Sequence, residues 1–68
     1  MVDFDRLRNA IAESGMTMVA VSAKSGILRE TLYNKLSGRG EFTASEIEGL
    51  SDALKLSTGQ RDAIFFAK

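Results

Sequence analysis

The sequence predicts an all-α fold, a compact bundle of five short helices with a helix-turn-helix at its centre, on three observations. Apolar residues recur at three- and four-residue intervals along much of the chain, which places them on one face of a helix. A residue able to cap a helix N-terminus stands before four of the candidate helices: Asp3, Thr17, Thr43 and Ser57. Within Thr17 to Gly38, TMVAVSAKSGILRETLYNKLSG, Gly26 parts two short helical stretches at a point where a left-handed backbone carries no side-chain penalty. The chain, 1–68, reads as one small domain with no room for a second.

The first helix begins after Asp3 and presents Phe4, Leu7, Ile11 and Ala10 on its apolar face. Arg6, Arg8 and Glu13 fall on the other side, where the arginines are either phosphate contacts or part of a solvated face. Ser14-Gly15 ends this helix, and Thr17 caps the next. Met16 and Met18 read as core fillers or partial surface. The small residues Ala20, Ser22 and Ala23 let this second helix lie close to the one beyond Gly26. That third helix runs from about Leu28 to Ser37, anchored from behind by Leu32 and Leu36, with a polar face formed by Arg29, Glu30, Tyr33 and Asn34.

Ser37-Gly38-Arg39-Gly40 is a turn that ends the third helix; without a preceding strand or phosphate-cradle spacing it is not a nucleotide loop. Thr43 and Glu46 form a capping-box pattern, with Phe42 and Ile47 placed as a hydrophobic staple. The fourth helix carries Ile47, Leu50 and Leu54 as its stripe, and Glu46, Glu48 and Asp52 as a solvated face. Gly49 inside it costs about 1 kcal/mol against alanine and signals a close helix approach. Ser57 to Gln60 opens a fifth helix with a second capping box. Ile64, Phe65 and Phe66 exceed one helical stripe, so one phenylalanine packs inside and its neighbour is a candidate self-association site; burial of both is the other reading.

Composition narrows the chemistry. The chain has no cysteine and no histidine, which excludes disulfides, thiolate metal sites and histidine base catalysis. No clustered carboxylates have a metal-like spacing, so neither an enzyme nor a cofactor is expected. No apolar run reaches membrane-spanning length, and the acidic start, Asp3 and Asp5, is unlike a signal region; a cytoplasmic protein is expected. The net charge is zero, whereas nucleic-acid binders usually carry a basic excess. Its distribution is uneven. From Lys24 to Arg39, four cations face Glu30 alone, a net of plus three, while Gly40 to Lys68 carries a net of minus two.

The stretch GILRETLYNKLSGRGEFTASEIEGLSDAL resembles the DNA-binding unit of the Cro/C1-type (XRE) family of phage and bacterial repressors, with Gly26 as the fingerprint glycine, Ile27 the apolar residue after it and Leu32 the buried position. The resemblance covers roughly residues 5 to 66. It implies a lambda-repressor-like fold, a double-stranded DNA operator as partner and a bacterial or phage-infected cytosol as location. The family often has alanine at Ser22, an apolar residue at Ser25, and a serine or threonine cap where Leu28 stands. Leu28 is therefore either exposed, for contact with a thymine methyl, or partly buried against a neighbouring helix.

In this class the N-terminal residues of the recognition helix enter the major groove. The expected base contacts are Leu28, Arg29, Glu30 and Asn34. Arg29 suits guanine, Asn34 suits adenine, and Glu30 either accepts from a cytosine amine or orients Arg29. The expected phosphate contacts are Thr17 and Met18 at a helix N-terminus, Tyr33 through its hydroxyl, and Lys35 and Arg39 as clamps. Packing of the Tyr33 ring on the following loop is an equal reading. A homodimer, through the Phe65/Phe66 region, would offset weak binding by one subunit. The rival function is a protein-interaction module of the same fold, antirepressor- or antitoxin-like, that does not bind DNA on its own.

Overall fold

The computed structural model describes residues 1–68. Five helices follow in order: α1 (Phe4–Ser14), α2 (Met18–Ser25), α3 (Arg29–Leu36), α4 (Ala44–Ala53) and α5 (Thr58–Phe65). Four of them start where local side-chain chemistry dictates. The Asp3 carboxylate accepts from the Arg6 amide at 3.1 Å, and the Thr17 hydroxyl from the Ala20 amide at 3.1 Å. Thr43 with Glu46 and Ser57 with Gln60 form reciprocal capping boxes. α3 is the exception, because Leu28 occupies its N-cap position and makes no side-chain cap.

The turn between α2 and α3 lies where Gly26 takes up φ 76°, a left-handed conformation that a residue with a Cβ adopts at a cost. The Ser22 hydroxyl donates across the turn to the Ile27 carbonyl, so this serine ties the two helices together. Ser25 is buried and donates to the Ser22 carbonyl at 3.3 Å.

Leu7 and Ile11 of α1, Val21 of α2, Ile27 of the turn, Leu32 and Leu36 of α3, Leu50 of α4, and Ile64 and Phe65 of α5 make one core. Burying an aliphatic side chain of this size contributes about 1.5–3 kcal/mol. Phe42, in the α3–α4 loop, meets Phe65 edge to face with ring centres 5.7 Å apart. Phe66 is 54% exposed, so the pair divides into one buried and one exposed ring. Helix α4 packs most extensively on α2. Gly49 is the point of closest approach: a Cβ there would lie 3.1 Å from the Ser25 carbonyl carbon and overlap its oxygen.

Two readings are corrected by this packing. Glu46 is not part of the solvated face of α4 that Glu48 and Asp52 form; only 18% of its side chain is exposed, beside Lys35. Arg8 stays on the surface, with 54% of its side chain exposed, but its guanidinium is engaged by the fold, donating to the Leu36 carbonyl at 2.7 Å. An arginine fits there because the C-terminal carbonyls of a helix carry partial negative charge and lack intrahelical donors. No helix is long and apolar enough to cross a membrane.

Candidate nucleic-acid interface

The first turn of α3 projects from the molecule. Ile27 and Leu32 on either side of it enter the core, and Leu28, with ψ 139°, is thereby sent the other way. It is 77% exposed, which removes the reading that a neighbouring helix covers it. Arg29 and Glu30 follow, both exposed. The ion pairs of the molecule are Arg6–Asp3, Arg8–Asp5, Lys35–Glu46 and Arg61–Asp62, so Arg29 and Glu30 do not pair with each other. Glu30 therefore does not orient Arg29, and its carboxylate stands free to accept. Tyr33 lies one turn further on, half-exposed, with its ring outside the core. Asn34 is half-buried, its side chain without a protein partner.

The last turn is arranged differently. Lys35 Nζ lies 2.5 Å from Glu46 Oε1 and 6.0 Å from the centre of the Phe42 ring, with 16% of its side chain exposed. The same Glu46 oxygen accepts from the Thr43 amide at 2.8 Å, so one carboxylate both caps α4 and holds α3. Burial works against the charged form of Glu46, but the hydrogen bond from Lys35, the Thr43 amide and the lysine charge outweigh it and hold the carboxyl below its ordinary pKa. Lys35 is thus directed at the protein, whereas a phosphate clamp must face solvent. The Ser37 hydroxyl donates to the Tyr33 carbonyl at 3.0 Å, and the Arg39 amide to the Asn34 carbonyl at 2.9 Å. That second bond fixes the backbone of Arg39, whose side chain remains exposed and unpaired.

At the start of α2, Thr17 is exposed and its hydroxyl is engaged in capping. The Met18 and Val19 amides have no intrahelical acceptor, since the first backbone bond of the helix runs from the Val21 amide to the Thr17 carbonyl. The Met18 side chain packs on the core, so only its backbone is offered to a ligand. The unpaired cations around the motif are Lys24, Arg29 and Arg39. Lys24, which the sequence does not single out as a contact, is exposed and unpaired beside the motif; its place in the net-positive segment is the signal for it. No group of acidic, histidine or cysteine side chains could hold a metal. A surface groove lined by Arg6, Asn9, Glu13 and Gln60 lies between α1 and α5 and includes no α3 residue.

The family model of the Cro/C1-type HTH DNA-binding domain matches residues 6–60, a span that includes most of α1 and all of α2, α3 and α4. No curated protein and no solved structure matches the chain.

Proposed function

The chain belongs to the Cro/C1-type helix-turn-helix DNA-binding domains, and we propose that it binds a specific double-stranded operator as a small transcriptional regulator of phage or prophage type. The observation that carries this is Arg29, an exposed and unpaired guanidinium in the first turn of the helix beyond Gly26. Leu28, Arg29, Glu30 and Asn34 are the proposed base-facing set, with Arg29 forked onto guanine O6 and N7. Thr17 and the Met18 amide at the N-terminus of α2, the Tyr33 hydroxyl and the Arg39 side chain are the proposed phosphate set, joined by Lys24. Lys35 is left out of it because Glu46 already holds its ammonium.

Three free cations give one copy little electrostatic affinity. A symmetric dimer on half-sites one helical turn apart would double it, and the exposed Phe66 is the proposed contact. Residues 1–68 act in this reading as one binding unit, in a bacterial or phage-infected cytosol, and transcription changes by occupancy of the operator.

Selection of bound sequences from a random duplex pool tests the proposal. Arg29→Ala should weaken binding to the selected duplex by about 1–3 kcal/mol and relax preference at one base pair. Uniform weakening on all sequences would remove Arg29 from the base-reading set. A second reading is supported by the exposed Leu28, Val19 and Tyr33: a protein-interaction module of the same fold, antirepressor- or antitoxin-like. Absence of binding to random duplex at low salt would favour it.

A further inference from the structure

We infer that Leu28 reads the 5-methyl group of a pyrimidine in the major groove, thymine or 5-methylcytosine, so that binding responds to base methylation. The inference rests on α3 being the helix that enters the groove and adds the chemical group that is read. Leu28 is the most exposed large apolar residue of any helix or turn, surpassed only by the terminal Met1. Its exposure is not a packing failure, because Ile27 and Leu32 take the core positions beside it. It stands at an N-cap, where serine, threonine, asparagine or aspartate would bond to a backbone amide, and it forgoes that bond. A local rule broken with no gain to the fold marks a functional position.

The chemistry of the side chain then selects its target. Leucine neither donates nor accepts hydrogen bonds, so phosphates and base heteroatoms offer it nothing. The apolar feature exposed in the major groove is the methyl at pyrimidine C5. Arg29, adjacent in the chain and unpaired, suits a guanine. Leu28-Arg29 would then read a 5-methylpyrimidine close to a guanine. The unpaired cations Lys24, Arg29 and Arg39, opposed by Glu30 alone once Glu46 has taken Lys35, favour a polyanion as the ligand of this face.

The test begins with the duplex selected from a random pool at low salt. It is resynthesised with each thymine in turn replaced by deoxyuridine, which deletes the methyl and keeps every hydrogen-bonding group. At one position the wild-type protein should lose about fourfold in affinity or more, the share of one buried methyl. A C·G pair placed there should bind more tightly when its cytosine is 5-methylated. Leu28→Ser restores a capping side chain, so its melting temperature should not fall, and it should bind the thymine and deoxyuridine duplexes equally. Equal wild-type affinity for all thymine and deoxyuridine forms would overturn methyl reading while leaving groove binding intact. A loss on deoxyuridine that persists in Leu28→Ser would overturn the assignment to this residue. Failure to bind any duplex at low salt would overturn the groove reading together with it.

Discussion

At its last turn α3 is held from three directions: Arg8 of α1 donates to the Leu36 carbonyl, Glu46 of α4 pairs with Lys35, and the Arg39 amide closes on Asn34. At its first turn none of this is present. Leu28 has no capping bond, and Arg29 and Glu30 make no ion pair. Both ends are rich in charged residues, so composition does not separate them. What separates them is whether the charges are spent on the protein. A helix that must meet a ligand with its N-terminal side chains needs those groups unsatisfied, and its orientation must then come from elsewhere. Here it comes from the opposite end and from the two leucines beneath. A cation in the motif therefore counts toward DNA affinity only if no carboxylate or carbonyl of the fold already holds it.

The contrast can be broken most severely through the frame behind it. Gly49→Ala places a Cβ against the Ser25 carbonyl, immediately before the Gly26 turn. The overlap should cost about 3 kcal/mol, exceeding the propensity gain of about 1 kcal/mol, in a chemical denaturation measurement. Next comes the tied end itself. Lys35→Gln leaves the Glu46 carboxylate half-buried without its cation and should cost about 2 kcal/mol of stability. The salt dependence of DNA binding should not change, whereas loss of a true phosphate contact would lower the slope by about one.

Acid probes the same pair. The folded-state pKa of Glu46 is depressed, so its contribution is complete above the ordinary carboxyl range and is lost as pH falls through the folded value. Glu46→Gln should flatten that part of the stability–pH curve; an unaltered acid limb would show that Glu46 does not control it. The smallest effect is expected from Arg8→Ala, about 1 kcal/mol for one charge-assisted cap at the end of α3. Its salt slope should equal that of the unaltered protein, and a reduced slope would return Arg8 to the phosphate-binding surface.

The features legible from the sequence share one property, which is that their causes lie within four residues along the chain. Asp3, Thr17, Thr43 and Ser57 cap the helices they precede because capping is a local hydrogen bond. Gly26 turns the chain because its own φ requires it. Gly49 gave warning of a close approach, although its partner, Ser25, could not be named. The exposed face of α3 followed from the spacing of Leu32 and Leu36. The sequence did not reveal which long side chains would be taken up by distant partners. Arg8 reaches a carbonyl in another helix, and Lys35 finds a glutamate whose role in the capping box was visible but whose second partner was not. Flexible cations choose partners only after the helices have docked, so their assignment is a tertiary property. Leu28 was open between two readings for the same reason: its burial depends on whether any other element reaches it.

The amide of Asp3 donates to the Ile64 carbonyl at 2.6 Å, so the beginning of α1 meets the last turn of α5. The ribbon is therefore almost a closed ring, with both ends on one side. A short glycine-serine bridge could join them, and the exposed segment from Gly38 to Glu41 offers a place to cut anew. Such a permuted chain would begin at α4 and finish at α3, leaving a ligand-facing helix whose far end could be fused to a reporter.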